Sequence, residues 1–162
     1  MTNTQHDRMP NVAEVCADEA QMLALSITRF LAAGYMTQDV ACWDAGCQCA
    51  EEVLGPGTAP CLVATMIGLM RALRAERKHP WQFMPATCCR VTRDEISLLR
   101  ALCQAQGADR VALTNSARAL TGGGTAPLLT DALKVAAETL ESIRPLLAMS
   151  PSSRPAAPST LH

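Results

Sequence analysis

Thr92-Arg93-Asp94-Glu95-Ile96-Ser97-Leu98-Leu99-Arg100-Ala101-Leu102-Cys103-Gln104-Ala105-Gln106-Gly107 is one complete helix with its start and stop signals. Thr92 and Glu95 have capping-box spacing, so the threonine side chain can accept the Glu95 N–H while the carboxylate accepts the Thr92 N–H. Ile96, Leu99 and Cys103 then recur along one face, with Leu98 and Leu102 beside them. That is the period of an amphipathic helix. Gly107 is the stop.

The same grammar runs outward in both directions. Asn11 caps a first helix from about Val12 to Ala33, with Cys16, Ala20, Leu23, Ile27 and Phe30/Leu31 on one face and Gly34 at its end. Thr37 opens a second helix, with Asp39 in its first turn, that reaches Leu54 before Gly55-Pro56-Gly57. Its apolar stripe is Val40, Trp43, Cys47, Ala50 and Leu54. A third starts at Thr58-Ala59-Pro60, where a proline is tolerated. Leu62, Met66, Leu69 and Leu73 form its stripe, and Arg74, Arg77, Lys78 and His79 precede the stop at Pro80. Beyond Gly107, a fifth helix covers about Asp109 to Leu120. After Gly122-Gly123-Gly124, a sixth runs from Thr125-Ala126-Pro127 to about Leu147. Runs of β-branched residues and strict alternation are lacking, so the expected fold is all-α, a compact bundle of about six helices.

The chain of 162 residues is read as one helical domain over residues 11–148, with a flexible N-terminus at 1–10 and a disordered Pro/Ser-rich tail at 149–162. Gly57-Thr58-Ala59-Pro60 recurs as Gly124-Thr125-Ala126-Pro127. This raises an internal repeat of two three-helix halves, 11–79 and 92–148, joined by the connection 80–91. Shared capping chemistry explains the same match without a repeat.

Composition narrows the function classes. With 49% hydrophobic and 18% charged residues the chain is globular. No leader-like segment and no long apolar run are present, so no membrane contact is expected and the expected compartment is the cytoplasm. Thiols stay reduced there, and the eight cysteines are not read as a disulfide framework. Net charge is near zero, but residues 1–57 hold eight carboxylates against Arg8 and Arg29. Residues 58–93 hold Arg71, Arg74, Arg77, Lys78, Arg90 and Arg93 against Glu76. Such segregation implies either that the two segments pack together or that a basic surface awaits an acidic partner.

Cys42, Cys47 and Cys49, with the adjacent pair Cys88 and Cys89, have the raw material for a thiolate site holding Zn or Cu(I). The spacing is poor for it, since Cys42 and Cys49 lie roughly 10 Å apart along a helix. Cysteines on helical stripes are therefore expected as small core residues. Cys88 and Cys89 differ, lying beside Arg90 and just before a helix N-terminus, where thiolate is favoured. They are the candidate centre for redox sensing or soft-metal capture, with Cys42 and Cys49 as helpers. Trp81 and Phe83 are expected to anchor the connection over a groove.

Enzyme chemistry finds little material. Only His79 stands on a structured element, and neither a nucleophile–base pair nor a Glu-x-x-His motif is visible. The glycine run at 122–124 lacks the lysine of a phosphate-binding loop. The expected function is thus a non-catalytic cytosolic helical protein, regulatory or adaptor-like, working through protein contacts or self-association. Its candidate contact residues are Arg71, Arg74, Lys78, Trp81 and Phe83, and no cofactor is expected. The alternatives are the thiol sensor and a nucleic-acid-binding regulator using the basic end of the third helix.

Overall fold

Asp18 splits what reads as one long N-terminal helix. Its carboxylate accepts the Gln21 N–H at 2.9 Å, which makes it an N-cap. The computed structural model describes residues 9–149 and has, among them, seven helices and no strand. They are α1 (Val12–Val15), α2 (Glu19–Thr37), α3 (Val40–Leu54), α4 (Ala59–Glu76), α5 (Arg93–Ala105), α6 (Arg110–Thr121) and α7 (Pro127–Met149). The expected N-terminal flexibility and the Pro/Ser-rich tail fall almost wholly on residues 1–8 and 150–162, which lie outside the described residues.

The bundle is all-α, as the periodicity predicts, and several helix ends depart from the punctuation. Gly34 lies inside α2 rather than ending it, because a Cβ there would stand 2.5 Å from Trp43 Nε1. It is a close-approach glycine, and α2 ends at Gln38 in the left-handed conformation, φ 57°. Thr37 closes α2 instead of opening α3, whose N-cap is Asp39 through its bond from the Ala41 N–H at 2.9 Å. The start of α7 takes its cap from afar. Glu76 at the end of α4 accepts the Leu128 and Leu129 N–H groups at 3.0 and 2.8 Å, satisfying donors that would otherwise be orphaned.

One buried cluster draws on both expected halves. Leu23, Ile27 and Leu31 of α2 and Leu62, Met66, Leu69 and Leu73 of α4 join Leu98 and Leu102 of α5 and Leu129, Leu133 and Leu140 of α7. Each such side chain contributes about 1.5–3 kcal/mol by leaving water. The most extensive packing is α4 on α7 and α2 on α3. A smaller cluster of Leu25, Val91 and Leu99 seats Val12, Val15 and Cys16 of the N-terminal segment.

The inward side of α3 differs from the expected stripe. Gly46 and Ala50 are buried with Trp43 turned toward the core, while Val40 is 69% exposed and Cys47 faces out. Small size decides this: a Cβ on Gly46 would meet Phe30 Cβ at 3.3 Å, so α3 lies against α2 at its smallest residues. Trp43 meets Tyr35 edge-on at 4.6 Å, and Arg74 sits 4.0 Å over the Tyr35 ring, linking α3, α2 and α4.

Candidate functional site

The connection between α4 and α5 carries Cys88 and Cys89, and two adjacent carboxylates hold it down. Glu95 is fully buried and forms a two-pronged ion pair with buried Arg29, Nε to Oε1 at 2.7 Å and Nη2 to Oε2 at 3.1 Å. The remaining Arg29 donors go to the Cys88 and Arg90 carbonyls at 2.6 and 2.5 Å. Glu95 also accepts the N–H groups of Thr92 and Met84 at 2.8 and 3.0 Å. The predicted capping box is therefore present, and its carboxylate does three further things that only the fold could arrange. Asp94 repeats the arrangement at the surface side, accepting from Arg77 and from the Gln82 N–H, each at 2.8 Å. Arg77 in turn donates to the Leu120 carbonyl at 2.7 Å, covering the open end of α6.

The N-terminal segment clasps the same connection. Val12 N–H donates to the Cys89 carbonyl at 2.8 Å and Val91 N–H to the Pro10 carbonyl at 3.0 Å. Trp81 and Phe83 pack on the main core 6.3 Å apart, as the anchoring expectation has it, and Trp81 Nε1 is buried with no partner among the described residues.

None of the eight cysteines is fully buried: Cys16 and Cys49 pack against the edges of the two core clusters, whereas the exposure of Cys47 and Cys103 overturns the core-filler expectation for those two. Cys47, Cys61, Cys89 and Cys103 are exposed, and Cys16, Cys42, Cys49 and Cys88 are half-buried. Alanine and glycine take the close-packed positions instead. Burial pushes the Cys16 thiol from 9.0 up to about 11, against an opposing pull from Arg29. Burial, helped by Glu52, also raises Cys49. Cys88 Sγ accepts the Arg90 N–H at 3.4 Å. Cys42 and Cys49 do not join Cys88 and Cys89, and among the described residues no three His, Cys, Asp or Glu side chains gather as a metal ion would require.

In the predicted basic stripe Arg71, Arg74 and Lys78 are all exposed, and Arg74 also lies over the Tyr35 ring. The acidic first segment and the basic second one do pack together, α2 and α3 lying against α4, but among the described residues no ion pair joins 1–57 to 58–93. Of those cations, Arg74 goes to the Tyr35 ring, Arg77 to carbonyls and Asp94, and Arg90 to the Met9 carbonyl.

Sequence reasoning missed the surface beside Arg71. Ala64, Gly68 and Ala75 on the outer side of α4 face Leu128, Ala132 and Val135 on α7 across an open groove of about 650 Å³. Leu128 and Val135 are 58% and 53% exposed, large apolar groups left facing water. A second groove shares Ala64 and runs between α4 and α3, with Cys47, Glu51, Pro60 and Ile67 along it. The signal was in the sequence as small residues at helical spacing, Ala64, Gly68 and Ala75, on the face opposite the predicted core stripe. No family model, curated protein or solved structure matches the chain. Among the described residues no helix is long and apolar enough to cross a membrane.

Proposed function

We propose that the protein is a non-catalytic helical module that works through protein contacts, with the outer face of α4 and its two flanking grooves as the contact surface. The observation that carries this reading is the groove itself: Leu128 and Val135 stand exposed over a floor of alanine and glycine. A floor without side chains admits a partner's ridge closely, and apolar walls reward its burial. The basic residues fit this role as a rim, since Arg71 lines the groove and Arg74 lies exposed over the Tyr35 ring.

A photo-crosslinking residue in place of Gly68 tests it, with the same residue at exposed Arg100 of α5 as the control. Irradiation of cells producing either variant should give a discrete covalent adduct from position 68 and none from 100. Equal absence at both positions removes the docking reading. The thiol alternative draws its support from Cys89, exposed beside half-buried Cys88 in a connection otherwise held rigid by Arg29 and Glu95. Zn or Cu(I) bound stoichiometrically by reduced protein, and lost when Cys88 and Cys89 become serine, would favour it over the contact reading.

A further inference from the structure

We infer that Cys16 and Cys103 are a redox pair, joined on oxidation by a disulfide that fastens the N-terminal segment to α5. The pair lies apart from the α4 contact surface and from Cys88 and Cys89. α2 and α5 meet at three levels with matching spacing, Gln21, Leu25 and Arg29 on one helix and Cys103, Leu99 and Glu95 on the other. Each step is one helical turn, so the three residues of each helix share a face. Arg29 pairs with Glu95 at 2.7 Å, Leu25 and Leu99 lie in one buried cluster, and Gln21 Nε2 donates to Cys103 Sγ at 2.8 Å. The N-terminal segment covers this seam, with Val12, Val15 and Cys16 packed on Leu25, Val91 and Leu99. Its Ala17 N–H donates to Gln21 Oε1 at 2.8 Å. The buried Gln21 amide thus holds the residue after Cys16 with one atom and the Cys103 sulfur with the other. An amide is about 2.3 Å across, which keeps that sulfur within about 8 Å of the Ala17 nitrogen, itself bonded to the Cys16 carbonyl carbon. Burial, Asp18, Glu95 and Cys103 all push the Cys16 thiol up, so a charge on Cys103 is felt at Cys16.

Both thiols are free, and the segment that carries Cys16 can shift to close the bond. α1 is a single turn with no buried residue, tied down by the Val12 and Val91 N–H bonds and by Arg90 on the Met9 carbonyl. The competing pair is Cys88 with Cys89. Consecutive Cα atoms stand about 3.8 Å apart, short of the usual disulfide range of about 4.4–6.8 Å, so a bond there is strained. The oxidant is a small-molecule disulfide of the glutathione class. Exposed Cys103, as thiolate, attacks one of its sulfurs and a glutathione thiolate leaves. Cys16 gives its proton to water and attacks Cys103 Sγ, releasing the second glutathione thiolate. Two protein thiols are oxidised to one disulfide while one glutathione disulfide is reduced to two thiols. The raised Cys16 value slows the second step near neutral pH, and it also makes the product resist reduction, because a weakly acidic thiol leaves poorly.

Full-length protein equilibrated with reduced and oxidised glutathione, quenched in acid, alkylated and cut with trypsin reads the result directly. Each thiol is then alone in its peptide, Cys16 in residues 9–29 and Cys103 in 101–110. These two peptides should be the chief internal link, with an equilibrium constant against glutathione at least about tenfold larger in the folded protein than in urea. Cys103→Ser should leave Cys16 reduced, and Cys16→Ser should leave Cys103 as a glutathione mixed disulfide that does not resolve. In the oxidised protein, deuterium exchange at the Val12 and Val91 N–H groups should slow by at least about tenfold, because the segment can no longer lift away. A chief link between Cys88 and Cys89 overturns the inference and favours the thiol alternative centred on them. Absence of any internal link overturns it too, as does a 16–103 link no more favourable in the folded chain than in urea. Exchange unchanged by oxidation overturns the fastening of the segment.

Discussion

Arg29 and Glu95 show how one residue can be half legible. Thr92 and Glu95 announce a capping box, and the structure has it. That the same carboxylate would sit fully buried on Arg29, with Met84 N–H as a further donor, depends on a partner 66 positions away. Local spacing carries no trace of that. Buried ion pairs are strongly asymmetric: losing one partner strands the other charge without water. Glu95→Ala or Arg29→Ala should therefore lower stability by about 3–5 kcal/mol in chemical denaturation. The double replacement Arg29→Met with Glu95→Leu should cost clearly less than the two single changes added together. Additive losses would mean that the two charges do not depend on each other. Cys16 gives a pH-dependent counterpart. Its folded-state value of about 11 lies above the ordinary 9.0, so the folded protein keeps the proton that the unfolded chain releases first. Its contribution is whole below pH 9 and declines as pH rises to about 11. Denaturant midpoints measured across that window should fall less steeply for Cys16→Ala than for wild type. Identical slopes would remove the burial argument for Cys16. Cys47 and Cys103 depart from the expected core stripe because their mild hydrophobicity fits its spacing, while close helix contact at Gly34, Gly46 and Ala50 favours residues smaller still.

At the scale of the element, helices were easier to foresee than their ends. A helix start needs donors satisfied, and the sequence displays candidates only when the cap is local. Asp18 was local but hidden inside a continuous apolar period. Glu76, which caps α7, stands 52 residues before the N–H group it accepts from Leu128. Removing it as Glu76→Ala should lower stability by about 1 kcal/mol, with Glu76→Gln losing less, since the amide oxygen still accepts but the charge facing the helix dipole is gone. Equal stability of all three proteins would show that water satisfies those N–H groups as well. Gly68 tests the opposite sign. With open space around its Cβ position, Gly68→Ala should raise stability by about 0.5–1 kcal/mol in chemical denaturation. A loss of stability would reveal an intramolecular clash at a position whose surroundings leave room for the methyl group.

For the whole molecule, the repeated Gly-Thr-Ala-Pro motif suggests two three-helix units, and the packing decides how such units could live. The core does not divide at the 80–91 connection. Leu62, Met66, Leu69 and Leu73 lie in one buried cluster with Leu129, Leu133, Ala136 and Leu140 from the other side of it. Polar clasps cross the same boundary: Arg29 to Glu95, Asp18 to Arg144 at 2.8 Å, Glu76 to the start of α7 and Arg77 to the end of α6. Each half alone would expose most of its leucines and leave a buried-type charge or a helix end without its partner. Fragments 1–79 and 80–162 should therefore show weak, non-cooperative helical signals when purified separately. Mixed, they should recover a cooperative melt, because the missing surface is supplied intact by the other fragment. The Arg29→Ala version of the first fragment should complement poorly, since it brings no cation for Glu95. A cooperative melt from either fragment alone would mean that the halves are autonomous domains and that the shared core adds little to them.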